Sequence, residues 1–524
     1  MKMEKVLVKQ TSRGICKYAL LALLLLSSAY MVYGQGYEEW SKDIGGEDTE
    51  HFKAIQETTD GGFIIVGYVE LWTRDDRELY MVKTDSMGDI EWSQVYGDVK
   101  DDDAYDVVQT SDGGYLVAGG TKSYGAGLTD LWVMRTDGQG ELLWEKILGG
   151  AKDDVAYSIT SLAGGDYLLA GSTASYGSGS SDVWVLKIND EGEVLWNITL
   201  GGPKNDIGRE IITTADDGFI IVGDTSSYGA GWSDVWLIKM NADGSVSWNQ
   251  TYGGSANDSG RSVKETSEGY VIAGNSDSFG SNLVEGYIVK ADAEGNLVWE
   301  KTFGGSSDDY AESVELLADE GYLVTGYTTS TGTGESDVWL FSLSGDGDLV
   351  DETFYGGSMR DRMYQVHATS DGGYILVGFT WSFGSGGNGY LIKITMEQPK
   401  KPAEFKLSNL AVSPTTVETG KTVTVSVTVT NVGEETGSHK AELLLDGSKV
   451  DEETVSLEGG ASETVEFTGV SGGEGAHTVA VGSLSGSFTV SAPPRQDGIP
   501  GYPVASLILG LSVTALALLY KRTH

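Results

Sequence analysis

Residues 157–200 read YSITSLAGGDYLLAGSTASYGSGSSDVWVLKINDEGEVLWNITL. Four short runs rich in β-branched and aromatic residues stand out. They are Tyr157 to Thr160, Tyr167 to Thr173, Asp182 to Ile188 and Glu193 to Leu200. The turns between them carry Ala163-Gly164-Gly165-Asp166 and Asn189-Asp190-Glu191-Gly192. Such runs between Gly, Asp and Asn turns signal strands joined by hairpins. We label the four strands A, B, C and D.

The same unit recurs along the chain. An aromatic-x-x-x-Gly motif opens strand B at Phe63, Tyr115, Tyr167, Phe219, Tyr270, Tyr322 and Tyr374, in steps of 52, 52, 52, 51, 52 and 52 residues. Strand C repeats Tyr80, Trp132, Trp184, Trp236, Tyr287, Trp339 and Tyr390 at the same period. Strand D repeats Trp40, Trp92, Trp144, Trp196, Trp248 and Trp299, and Asp351 breaks the series. Four strands per unit of roughly fifty residues is the pattern of a β-propeller. The repeats start with a lone D strand, Glu38 to Ile44, and stop after a C strand, Gly389 to Thr395. Pairing those two closes the ring and leaves no sheet edge open. The predicted fold is therefore all-β: a seven-bladed β-propeller over residues 35–396, closed by its N-terminal strand.

The Asp-x-x-Gly-x-x-x-Trp pattern, as in Asp292 to Trp299, resembles the tryptophan-docking repeats of quinoprotein-like propellers. It is also similar to the Asp-box of sialidases, with a different Asp–Gly spacing. Residues 35–396 as a whole resemble the Asp-Gly-Gly-Tyr repeat propellers of exported microbial proteins. That resemblance implies a fold and leaves activity open, since propellers host many functions.

Beyond the repeats, Lys421 to Thr430 alternates Thr and Val, the mark of a half-buried strand. Further strands are predicted at Lys440–Leu445, Thr464–Phe467, His477–Val481 and Ser487–Val490, with a hairpin at Leu443-Leu444-Leu445-Asp446-Gly447. With Asn431-Val432-Gly433, residues 403–491 resemble the CARDB-type immunoglobulin-like sandwiches of surface proteins. The resemblance implies a spacer or adhesion module.

The ends predict the location. Lys2, Lys5, Lys9, Arg13 and Lys17 precede an apolar run from Tyr18 to Val32, the layout of a signal peptide over residues 1–34. At the other end, residues 492–503 read as a stiff stalk. Val504 to Tyr520 is apolar and uncharged, and Lys521 and Arg522 open a basic tail, 521–524. Seventeen residues reach the short limit for a transmembrane helix. The basic tail stays inside, so the body lies at the cell surface. Ile499-Pro500-Gly501-Tyr502-Pro503 with the helix and basic end resembles the C-terminal anchor-and-sorting tails of archaeal surface proteins. The sole cysteine, Cys16, falls in the signal segment, so no disulfide is expected after its removal.

The formal net charge is −42, which repels nucleic acid and excludes it as a partner. An acidic residue stands ten positions after each strand-D anchor: Glu50, Asp102, Asp154, Asp206, Asp258, Asp309 and Asp361. If they converge at the channel mouth they suit Ca²⁺ or another hard cation. Recurrence in every blade equally suits a residue that caps a turn. Three positions further the residue varies: Lys53, Tyr105, Tyr157, Arg209, Arg261, Glu312 and Tyr364. Broken symmetry there marks a candidate ligand pocket. Trp72, Trp232 and Trp381 lie outside the recurrent Trp positions, on or beside the B–C loops, and Trp72 and Trp381 belong to blades that adjoin at closure. Exposed aromatics beside carboxylates suit sugar rings. Asn197, Asn249 and Asn257 head glycosylation sequons.

Catalytic signals are sparse. His51, His367, His439, His477 and His524 have no metal-ligand spacing, and the near-constant period leaves no long inserted loop for an active site. The expected function is a surface-anchored binding or adhesion protein contacting glycans, cations or surface proteins. Its rival is an exported propeller enzyme, either a polysaccharide hydrolase or lyase or a quinoprotein-like oxidoreductase.

Overall fold

The computed structural model describes residues 36–74, 76–279, 283–384, 386–396 and 401–493. The predicted signal peptide, stalk, transmembrane helix and basic tail lie outside these residues, apart from Ala492 and Pro493 of the stalk. Among the described residues no helix is long and apolar enough to cross a membrane. The chain divides into two compact units, one ending before residue 399 and one beginning there.

The first unit is a propeller-like array of seven four-stranded antiparallel sheets. In the third sheet, strands Asp154–Ser161, Tyr167–Thr173, Asp182–Ile188 and Val194–Leu200 pair in chain order. Strands B and C match the sequence reading residue for residue, and strand A starts three residues earlier than predicted. Closure also follows the prediction. Tyr37–Ile44 lies antiparallel beside Asn388–Thr395, with Tyr37 opposite Thr395 and Ile44 opposite Gly389.

The apolar core lies between the faces of successive sheets. Leu116, Ala118 and Leu131 of the second sheet pack with Tyr167, Leu169 and Trp184 of the third. Ile375, Val377 and Leu391 of the seventh pack with Phe52, Ile65 and Val82 of the first. Strands B and C, covered on both faces, are buried along almost their whole length, whereas strand D is half exposed.

The strand-D tryptophans lock one sheet to the next. Trp144 lies over Gly192, in the C–D turn of the following sheet, and donates its indole N–H to the Asp190 carbonyl at 3.2 Å. Five more pairs repeat this packing: Trp40–Gly88, Trp92–Gly140, Trp196–Gly244, Trp248–Gly295 and Trp299–Gly347. Each of these glycines has φ between +73° and +84°, and an added β-carbon would strike the indole. The break at Asp351 now has a cause. The seventh sheet takes its D strand from residues 37–44, so it has no C–D turn for a tryptophan at 351 to meet.

The second unit is a β-sandwich. Phe405–Ser413, Val423–Asn431 and Ser462–Val470 form one sheet; Thr416–Glu418, Gly437–Leu445, Ser448–Leu457, Gly475–Val481 and Leu484–Ser491 form the other. Val423, Val425, Val427 and Val429 point alternately inward onto Leu443, Phe467, Val479 and Phe488. The Asp446-Gly447 hairpin turn has positive φ at both residues, +50° and +83°.

Candidate functional site

Strand A of every sheet carries a β-bulge, and the bulge builds the site. The register shifts between Phe52 and Ala54, Ala104 and Asp106, Ala156 and Ser158, Gly208 and Glu210, Gly260 and Ser262, Ala311 and Ser313, and Met363 and Gln365. The extra residue in each case is one of Lys53, Tyr105, Tyr157, Arg209, Arg261, Glu312 and Tyr364. A bulge breaks strand alternation, so two consecutive side chains share one face. All seven residues therefore line one narrow cavity of about 90 Å³, together with the residue that follows each of them.

The glycine of the aromatic-x-x-x-Gly motif makes the bulge possible. A β-carbon at Gly119 would stand 2.0 Å from the Asp103 carbonyl oxygen, and one at Gly223 would stand 1.9 Å from that of Ile207. The motif is thus the sequence mark of the bulge as well as of strand B.

The following residues stitch the sheets together. Asp106 accepts the Ile159 amide at 2.8 Å, Ser158 that of Ile211 at 3.3 Å, and Glu210 that of Val263 at 2.5 Å. Ser262 accepts Val314 N–H at 3.3 Å, Ser313 accepts Val366 at 3.2 Å, and Gln365 accepts Ile55 at 2.7 Å. Ala54 has no acceptor to offer, and Asp106 satisfies Val107 N–H itself at 2.8 Å. Burial lifts the Asp106 carboxyl to about 7, against the hydrogen bonds it accepts.

The cavity is asymmetric. Tyr105 and Tyr157 meet edge-on, with centroids 5.1 Å apart. Arg209 stacks on Tyr157 at 5.0 Å and pairs with Asp224 at 3.1 Å; Arg261 faces Glu312 at 3.8 Å. Lys53 lies 3.8 Å from the Tyr364 centroid, and Arg362 lies 4.2 Å from that of Tyr327. Burial draws Lys53 down to about 8, with Glu312 and Asp103 opposing that shift. Burial, helped by Lys53, Arg77 and Arg362, draws His51 down to about 3 and keeps it neutral.

The acidic series lies elsewhere and does not converge. Asp206 is fully buried within its own sheet, where its carboxylate accepts Thr225 Oγ1 at 2.5 Å, Ser227 Oγ at 2.7 Å and Gly202 N–H at 2.8 Å. Asp102, Asp154, Asp258, Asp309 and Asp361 repeat the arrangement with their own Ser or Thr pairs. Among the described residues, no three His, Cys, Asp or Glu side chains are grouped to hold a metal ion. The hydrogen bonds fit the turn-tying alternative. Glu50 is the exception. The first sheet has Val69 and Leu71 where the others have the hydroxyls, so Glu50 Oε2 is buried without a partner. Burial raises the Glu50 carboxyl to about 7.

Trp72 and Trp381 come together, whereas Trp232 stands apart. The first pair shares a cleft of about 450 Å³ with Thr49, Glu70, Leu71, Asp76, Arg77 and Asp101. Trp72 is 77% exposed and Trp381 38%. The first B–C hairpin is distinct, since its strands Phe63–Leu71 and Asp76–Thr84 run two residues longer than the seven-residue strands of the second sheet. Trp232, 76% exposed, sits on the fourth B–C loop. Aromatic residues at five other positions of the B–C loops are packing residues. Tyr124, Tyr176, Tyr228, Phe279 and Phe383 each contact the strand-C aromatic of their own sheet. Asn197, Asn249 and Asn257 are exposed. The first two accept the indole N–H of Trp184 and Trp236, and Asn257 donates to Asp277 at 3.1 Å.

Several site residues escaped the sequence reading: His51, with Arg77, Asp103 and Arg362, whose charges act on it or on Lys53, and the acceptors that stitch the sheets. The acceptors share one role but differ in type, so no single-letter pattern finds them.

Comparison with known proteins bears on the second unit first. Residues 403–483 match the CARDB family model. The sandwich is a CARDB domain. The resemblance of residues 403–491 to CARDB-type sandwiches is thus matched over residues 403–483. A comparison with curated proteins finds no match. Among solved structures, the chain is similar to the WD40 domain of Neurospora crassa Pan2, at 10% identity over 66% of this chain and 90% of that one, TM-score 0.42. It is also similar to a protein of unknown function from Dyadobacter fermentans, at 12% identity over 69% and 99%, TM-score 0.40. A Listeria innocua β-glucosidase aligns at 20% identity over 18% of this chain and 17% of that one, TM-score 0.16.

Proposed function

We propose that the protein is a surface-anchored binding or adhesion protein, whose seven-bladed β-propeller presents a glycan-binding cleft at the seam between its seventh and first blades. The observation that carries this reading is the Trp72–Trp381 cleft, with Glu70, Asp76, Arg77 and Asp101 around two exposed indoles. A sugar ring stacks its C–H face on an indole while its hydroxyls bond to flanking carboxylates and guanidinium groups. The CARDB domain serves as a spacer. The apolar segment 504–520 anchors it, and the leader 1–34 directs export. Glu70, Asp76 and Asp101 favour a saccharide that is neutral or cationic where it meets the Trp72–Trp381 cleft.

A glycan-array and cell-wall-fragment screen on the intact protein, with Ca²⁺ and with chelator, tests the proposal. Specific capture of saccharides supports it, and chelator sensitivity adds a metal to the site. Absence of saccharide binding in both conditions overturns it.

A further inference from the structure

Lys53 and Arg362 are two cations of this region that make no ion pair among the described residues, although Glu312 and Asp103 lie near enough to raise Lys53 against its burial. Arg77, Arg209 and Arg261 each face one: Asp101 at 3.4 Å, Asp224 at 3.1 Å and Glu312 at 3.8 Å. Lys53 and Arg362 instead lie over the rings of Tyr364 and Tyr327, on adjoining sheets. Among the described residues neither makes an ion pair, although the chain carries 77 acidic residues against 35 basic ones. Half-buried cations of like sign repel and are costly to desolvate unless a counter-charge joins them. Aromatic faces offset part of that cost. His51 Nδ1 and Arg261 Nε, at the same mouth, are buried without hydrogen-bond partners.

We propose that the mouth of the channel is an oxyanion site, in which Lys53 and Arg362 bind a carboxylate or sulfate group of a ligand. The guanidinium supplies a planar fork of donors and the ammonium a point charge. Lys53 lines the cavity of about 90 Å³, and Arg362 stands outside that lining but near enough for its charge to draw Lys53 down. Tyr364, Tyr105 and Tyr157 wall the cavity with aromatic rings, and Arg209, Arg261, Glu312, Asp106 and Glu210 line it as well. This inference rests on the cation pair and stands apart from the Trp72–Trp381 cleft.

The test is calorimetric titration of the intact protein with sodium glucuronate, sodium sulfate and glucose. Glucuronate, sulfate or both bind, and glucose does not. Binding of glucuronate alone assigns a carboxylated ligand, and binding of sulfate assigns a sulfated or free oxyanion. Lys53→Met and Arg362→Gln each weaken binding at least tenfold, with a melting temperature equal to or above that of the wild type. Binding also weakens as pH rises through about 8, where Lys53 loses its proton among His51, Arg77, Arg362, Asp103, Glu312 and the two tyrosines that face it, Tyr68 and Tyr364. The site is overturned if neither anion binds, if glucose binds as well as glucuronate, or if both variants bind as the wild type does.

Discussion

The side chain of Gln365 accepts the backbone N–H of Ile55 at 2.7 Å, joining residues 310 apart in sequence. It is the last of six equivalent stitches around the channel, and it lies where the chain's two ends meet. Ile55 is buried, so losing the acceptor leaves a backbone donor unpaired. Gln365→Ala should cost about 1–3 kcal/mol in chemical unfolding. It should also raise the exchange rate of the Ile55 amide above that of the Ile211 amide. Equal exchange at the two amides would contradict the assigned role.

The strand-B glycines should resist substitution more than the turn glycines. Gly223→Ala forces a β-carbon onto the Ile207 carbonyl and should cost at least ~2 kcal/mol, since backbone cannot yield as a side-chain tip does. Gly46→Ala, with open space around it, should stay within about 0.5 kcal/mol. Melting curves of the two variants decide the point.

The tryptophan lock predicts an asymmetry. Trp299→Ala removes an indole that covers Gly347 and should cost about 2–4 kcal/mol. Asp351→Trp restores the sequence repeat but meets no C–D turn, so it should give no gain in stability. A stabilised Asp351→Trp variant would show that the series breaks for another reason.

Glu50 makes stability depend on pH in the sense opposite to a salt-bridged acid. Its carboxyl rises from 4.5 to about 7 on folding, because burial disfavours the charge. The folded state therefore holds the proton more tightly. Stability is highest below the unfolded value and falls as pH rises toward and through 7. Glu50→Gln should be more stable than the wild type by about 1–3 kcal/mol at pH 8 and nearly equal to it at pH 4. The same difference at both pH values would sink this account.

Much of the fold is readable from the chain because its repeat is nearly invariant. The bounds of strands B and C, the paired ends and the Trp72–Trp381 neighbourhood all follow from counting. The bulge does not, because alternation is the ordinary expectation for a strand and the glycine that permits a bulge also looks like a turn residue. That ambiguity let Glu50 and the six aspartates be placed at the channel, when the aspartates are spent on Ser and Thr hydroxyls inside their own sheets and Glu50 Oε2 is buried without a partner. In the CARDB domain, Ser448–Leu457 escaped notice because Lys449, Asp451, Glu452 and Glu453 make an exposed strand look like a loop. Arg362 became visible as a site residue only with the rings beneath it, which lie on two other strands.

The central claim is that saccharide binds where Trp72 and Trp381 meet, and that exposure of an indole alone is insufficient. The most direct measurement compares dissociation constants for a saccharide selected by array in wild type, Trp72→Ala, Trp381→Ala and Trp232→Ala. Trp232 is as exposed as Trp72, at 76% against 77%, and makes the control. The account predicts at least tenfold weaker binding for the first two variants and none of that loss for Trp232→Ala. Equal affinity in all four proteins, or a loss confined to Trp232→Ala, would contradict it.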